Sequence, residues 1–123
     1  MKTKIILVSI LLFSLFTQSM SQDKNQKQIT YNVTFIELGS VNCIPCKMMQ
    51  PIMKKVEEKY KGQVKVVFYD VWTKFGEPFG QMYGIRAIPT QVFLDSNGKE
   101  YYRHQGYFPF EELEQILKQK IGS

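Results

Sequence analysis

Both cysteines of this 123-residue chain stand in one short stretch, ELGSVNCIPC, where Ile44 and Pro45 separate Cys43 from Cys46. A bond between sulfurs this close closes too short a loop to restrict the unfolded chain much, so a structural staple explains little. A zinc site needs four ligands, and the chain offers no third cysteine and only His104, far along the sequence, so no metal is expected. His104 itself reads as an ordinary strand residue. Disulfide exchange suits the spacing better. Cys43 falls where a strand hands over to a helix, and the unpaired N–H groups and positive dipole end there favour a thiolate over a thiol. The thiolate is the nucleophile in exchange. Cys46, one helical turn along, is placed to attack a mixed disulfide and release it.

Two further residues point to the same chemistry. Glu37 interrupts the apolar run Val33–Leu38 (VTFIEL), six residues before Cys43. A carboxylate buried between Ile36 and Leu38 is expected to have a raised pKa, which suits it to move a proton to or from Cys46. Pro89 opens a strand, where a missing N–H is tolerated. An X-Pro bond is open to cis, and a cis Pro89 would set its loop beside the cysteines, but cis is the minor form of such bonds and the residues alone favour a trans edge proline.

The elements that must carry these residues are legible in the periodicity. Val33–Leu38 reads as a buried strand. From Pro45 to Tyr60 the spacing of Met49, Ile52, Val56 and Tyr60 predicts a helix whose wet side carries Lys54, Lys55, Glu57, Glu58 and Lys59. Pro45 suits a first turn, whereas Pro51 should kink the helix, and Gly62 marks its stop. Val64–Tyr69 is a second strand, and the intervening helix implies a parallel βαβ crossover. A short helix is expected around Pro78–Tyr83 and a third strand over Thr90–Leu94. Asp95 to Gly98 has hairpin chemistry, Lys99–Gln105 returns as a fourth strand, and Pro109–Lys120 closes as a helix with Phe110, Leu113, Ile116, Leu117 and Ile121 on one face. Met48, Met49, Met53 and Met82 are expected to pack the domain. The aromatic residues Tyr101, Tyr102, Tyr107, Phe108 and Phe110 are expected chiefly to fill core and strand faces. Trp72, just after the second strand, is read in the same way, with a partner surface as the lesser alternative for all of these residues. The string β-α-β-α-β-β-α gives an α/β fold with a mixed four-stranded sheet flanked by helices, with room for a fifth short strand.

The N-terminus adds a compartment. Met1 to Lys4 is basic, Ile5 to Phe16 is an apolar run of 12 residues, and Ser19 and Ser21 make a small-x-small site. The run is shorter than the roughly 20 residues a spanning helix needs. Residues 1–21 are therefore expected to be a signal peptide cleaved after Ser21, residues 22–32 a polar, flexible lead-in, and residues 33–123 a single domain. Loss of Lys2 and Lys4 lowers the formal net charge from +5 to +3. With lysines spread along the chain and no arginine-rich patch, nucleic acid is not expected as a partner.

With these pieces assembled, the chain resembles the thioredoxin family over roughly residues 33–121. CIPCKMMQPIM is similar to the active-site helix of that family, and YGIRAIPTQVFLDSNGKE to its cis-proline loop and following hairpin. The resemblance implies that Cys43 attacks and Cys46 resolves, that Glu37 stands where the family carries a buried aspartate, and that Pro89 is cis. It also implies that Ile88 pairs through its backbone with an extended substrate segment, beside Ile44 and Pro45. The chain departs from the pattern at Asn42, where many members have tryptophan, at Ile44-Pro45 in place of Gly-Pro, and at Phe68, where a lysine usually accompanies the buried acid. The family's extra N-terminal strand and helix also look truncated, since about ten polar residues precede the first strand.

The expected function is an extracytoplasmic thiol–disulfide oxidoreductase without a cofactor. It would act as a reductase of protein disulfides, with a membrane thiol transporter as the electron donor that the resemblance implies. A disulfide-forming oxidase or isomerase in the same compartment, and a redox-inactive partner-binding module, are the alternatives.

Overall fold

The structure is a computed structural model that describes residues 28–122; the expected leader and most of the lead-in lie outside the described residues. The elements run β1 (Val33–Gly39), α1 (Ile44–Lys59), β2 (Val64–Asp70), α2 (Glu77–Met82), β3 (Thr90–Leu94), β4 (Glu100–Gln105) and α3 (Phe110–Lys118). The sheet has the order β2-β1-β3-β4. β1 is parallel to β2 and antiparallel to β3, and β3 is antiparallel to β4. The sheet is mixed and four-stranded as expected, and no fifth strand occurs among the described residues.

β1 lies inside the sheet between β2 and β3, in keeping with its burial on both faces. Because side chains alternate along a strand, Val33 and Phe35 face one way, into a core with Met49, Ile52, Met53 and Val56 of α1 and Leu113, Ile116 and Leu117 of α3. Ile36 and Leu38 face the other way, against Val92 and the aromatic rings of Phe79 and Tyr83 at α2. Phe35 and Phe93 stack at 5.0 Å across the first core. Tyr69 stacks on Phe79 at 3.8 Å over the second.

The registers align four residues in one row across the sheet, on the α1 face: Phe68 of β2, Glu37 of β1, Gln91 of β3 and His104 of β4. The adjacent row is Val66, Phe35, Phe93 and Tyr102, wholly apolar apart from a phenol.

Several local features match the sequence pattern and several do not. α1 starts with Ile44 and Pro45 in its first turn and continues as one element through Pro51. Gly62, at φ 81, turns the chain back after the helix. In the hairpin, Asp95 Oδ1 accepts from the Asn97 and Lys99 N–H groups at 2.9 and 3.0 Å. That bond draws Lys99 into the turn, and β4 begins at Glu100. Met49 and Met53 are buried, but Met48 and Met82 are 50% and 64% exposed, contrary to expectation. Met48 lies one position off the 49-52-56 stripe, and Met82 ends the short α2. Phe108 and Phe110 fill the core, whereas Tyr102 and Tyr107 stay exposed. α3 ends at Lys118, so Ile121 reaches the core from the following turn rather than from the helix face.

Candidate active site

β1 ends at Gly39, and the chain turns into α1 over four residues. The Cys43 N–H donates to the Ser40 carbonyl at 3.3 Å, and the Asn42 N–H to Ser40 Oγ at 3.3 Å. Cys43 is the N-cap of α1, in extended conformation and without a side-chain cap bond, and Cys46 is the third helical residue. The two are joined by a disulfide, with Cα atoms 5.2 Å apart. The pairing fits helix geometry, since residues three apart lie on one side of the first turn. Pro45 removes an N–H that would have had no partner inside the helix. The sulfurs are not equivalent: Cys43 is 8% exposed and Cys46 is 1% exposed. Cys46 faces inward on the stripe that continues to Met49, while Cys43 stands at the mouth.

Gly39 supports the inner sulfur. A Cβ at Gly39 would lie 3.1 Å from Cys46 Sγ and 3.6 Å from Phe68 Cε2. The φ of Gly39 is not positive, so this glycine is there for space.

Glu37 is fully buried, two residues before Gly39 and on the same face of β1. Its Oε1 accepts from Gln91 Nε2 at 3.2 Å, and its Oε2 has no hydrogen-bond partner. Burial pushes its pKa from 4.5 up to about 8, against a smaller lowering from the Gln91 bond. The register partner of Glu37 on β2 is Phe68, which supplies no countercharge.

Gln91 continues the line. Its Nε2 also donates to the Gly106 carbonyl at 3.1 Å, and its Oε1 lies 2.8 Å from His104 Nδ1. His104 in turn stacks on Phe108 at 4.0 Å, and the Phe108 N–H donates to Met49 Sδ at 3.3 Å.

The Ile88–Pro89 peptide is cis. Thr90 pairs with Leu38, so this loop stands at the sheet end where β1 passes into α1. The Gly106 N–H donates to the Pro89 carbonyl at 2.7 Å, and Thr90 Oγ1 donates to the Ala87 carbonyl at 2.6 Å. Pro89 is buried and Ile88 half-buried. The segment after β2 is tied to the same end. The Val71 N–H donates to the Gly39 carbonyl at 2.9 Å, and the Asp70 carboxylate accepts from the Val41 and Trp72 N–H groups at 3.2 and 3.0 Å. Ile44, Val41, Trp72 and Phe75 are 75%, 52%, 62% and 76% exposed, leaving apolar side chains on the loops around the cysteines. Pro45 is exposed beside Ile44.

The fold thus brings Cys43, Cys46, Ile44, Pro45, Ile88 and Pro89 to one end of the sheet, with Glu37 buried beneath. The residues that sequence reasoning missed are Gly39, Gln91 and Asp70, and His104 has more than a strand role. Gln91 carried one faint signal, a long amide in an otherwise β-prone run, but its meaning depends on register with Glu37.

A family profile described as thioredoxin-like domain matches residues 16–121. A thioredoxin of Borreliella burgdorferi is 31% identical over 102 residues, which cover 80% of this chain and 85% of that protein. A thioredoxin of Listeria monocytogenes is 28% identical over 96 residues, covering 78% and 90%. Among solved structures, a mutant thioredoxin from Halobacterium salinarum superposes with a TM-score of 0.68 at 20% identity, over 76% of this chain and 78% of that one, a likeness of fold.

Proposed function

The chain belongs to the thioredoxin-like family and is a thiol–disulfide oxidoreductase; from that premise we propose that it works outside the cytoplasm as a reductase of protein disulfides through Cys43 and Cys46. The observation that carries this reading is the asymmetry of the pair. The outer cysteine is the N-cap residue of a helix at the sheet end that also carries the cis Ile88–Pro89 loop, and the inner sulfur is packed against Gly39.

In the proposed cycle, the Cys43 thiolate attacks a substrate disulfide and forms a mixed disulfide, and the first substrate sulfur leaves as a thiolate. Cys46 then passes its proton to Glu37 and attacks the Cys43 sulfur. The electron pair of the mixed disulfide leaves on the second substrate sulfur. The oxidised protein fits this end state, because a carboxyl with its pKa near 8 holds a proton at neutral pH. An extended substrate segment would lie along the Ile88–Pro89 backbone as an added strand, with Ile44, Pro45 and the other apolar side chains at this end giving it a dry surface.

Reduction is favoured over oxidation by the Ile44-Pro45 insert, which holds no histidine to stabilise the reduced thiolate. Export is supported by the basic start and short apolar run of residues 1–21. An exported reductase needs electrons delivered across a membrane, and a membrane thiol transporter is the proposed donor. The reduction potential of the Cys43–Cys46 pair in a glutathione buffer tests the direction. A value more negative than about −230 mV is expected, and one at or above about −180 mV would make the protein an oxidase or isomerase.

A further inference from the structure

We propose that Gln91 and His104 are positioning residues for Glu37: together they hold one carboxyl oxygen in a fixed hydrogen bond, so that the proton exchanged with Cys46 resides on the other. The inference rests on the reading of Glu37 as the proton carrier for Cys46.

The hydrogen-bond directions follow from the partners. The Gly106 carbonyl can only accept, so the amide atom 3.1 Å away must be the nitrogen of Gln91. The same nitrogen gives its second hydrogen to Glu37 Oε1. Gln91 Oε1 therefore faces His104, and at 2.8 Å it can only accept. Nδ1 of His104 must carry a hydrogen, whatever the state of Nε2. Stacking on Phe108 at 4.0 Å and 15° fixes the plane of the imidazole. Each member thus orients the next, from ring to amide to carboxyl.

The consequence falls on Glu37. Oε1 receives an N–H and serves best as the carbonyl oxygen of the neutral acid, which leaves the hydroxyl at Oε2, the oxygen without a partner. During resolution, the proton moves from the Cys46 thiol to Oε2. The sulfur electron pair forms the bond to Cys43, and the bond from Cys43 to the substrate breaks with its pair on the substrate sulfur, which takes a proton from solvent. Among the described residues, no charged side chain forms a hydrogen bond or ion pair with the acid. β2 presents Phe68, and α1 presents Cys46 with its lysines exposed. The buried acid of α3, Glu114, is paired with Lys59 and Lys118. Gly106 joins this line to the substrate side, since its N–H holds the Pro89 carbonyl while its own carbonyl holds Gln91.

The test compares three full-length proteins: wild type, His104→Phe, which keeps a ring on Phe108 and removes the donor, and His104→Asn, whose amide can replace Nδ1–H. Without the histidine donor, the Gly106 carbonyl still keeps the amide nitrogen toward Glu37, but Gln91 Oε1 loses its partner. The amide is then less polarised and less firmly held, and its N–H bond to Glu37 weakens, which disfavours the carboxylate. The Glu37 titration, followed by its side-chain carboxyl ¹³C shift in the oxidised protein, is expected to rise by about one pH unit in His104→Phe, a tenfold change in proton affinity, and to return toward wild type in His104→Asn. The pH profile of mixed-disulfide release should move in the same direction. An unchanged titration in folded His104→Phe overturns the inference. Imidazole ¹⁵N shifts of the wild type need no variant: an Nδ1–H is expected, and a neutral ring protonated only at Nε2 overturns the inference. Glu37→Gln separates the two readings, since release at wild-type rate in that variant removes Glu37 as the proton carrier even if the His104 variants shift its titration.

Discussion

A Cβ on Gly39 would sit 3.1 Å from the sulfur of Cys46, so the backbone of the central strand forms the floor beneath the inner cysteine. The contact is tight enough that even one methyl group forces the sulfur or the strand to shift. The inner sulfur of the disulfide is therefore packed against the central strand, and the outer sulfur is the more exposed of the two.

The first prediction tests that floor. Gly39→Ala should destabilise the oxidised protein by about 1–3 kcal/mol, the range for overpacking a well-filled interior. Urea unfolding would show a lower midpoint with an unchanged slope. A midpoint equal to wild type would mean that Cys46 has room to spare.

The second concerns the buried acid. Below pH 4.5 Glu37 is neutral in the folded and unfolded chain alike, so its burial carries no ionisation penalty. As pH rises, the unfolded chain releases the proton while the folded one holds it until about pH 8. Stability from this group is thus full below pH 4.5 and is lost between 4.5 and 8, at about 1.4 kcal/mol per pH unit. In the oxidised state, where no thiol titrates, Glu37→Gln should gain on wild type by that slope from pH 5 to pH 8. Parallel stability curves for the two proteins would contradict the burial of a protonatable Glu37.

The third concerns the opposite end of the pH scale. Lys59 at 2.7 Å and Lys118 at 3.0 Å hold the Glu114 carboxyl down at about 2, tying α1 to α3. A lowered folded pKa adds stability above pH 4.5 that disappears as pH falls toward 2. Thermal unfolding of wild type should lose Tm from pH 5 to pH 2.5, and Glu114→Gln should lose less over the same interval. Both lysines are about half exposed, so added salt should weaken the effect. An equal Tm loss in Glu114→Gln would assign the acid sensitivity elsewhere.

Much of this architecture is legible in the residues. Alternation and helical spacing locate β1, α1 and β3 closely, because the central strand and the packed helix must be apolar where they meet. Cys43, Cys46 and the proline at 89 stand out by type and spacing, and Glu37 stands out as a charge inside a buried run. What stays hidden depends on register. That Gln91 meets Glu37, and His104 meets Gln91, follows from how β3 pairs with β1 and β4, which no local window encodes. The role of Gly39 is hidden for the same reason: its need for space arises from the Cys46 side chain seven residues later. Met48 and Met82 mislead because methionine is apolar by type, while exposure depends on one position of helical phase.

The most direct test of the central claim, that Cys43 is the attacking sulfur and Cys46 the resolving one, is a trapping measurement with a model disulfide peptide on two single variants. Cys46→Ser should accumulate a stable mixed disulfide at Cys43, and Cys43→Ser should react at Cys46 at least tenfold more slowly, as the exposures of 8% and 1% imply. Equal rates in the two variants, or faster trapping at Cys46, would contradict it.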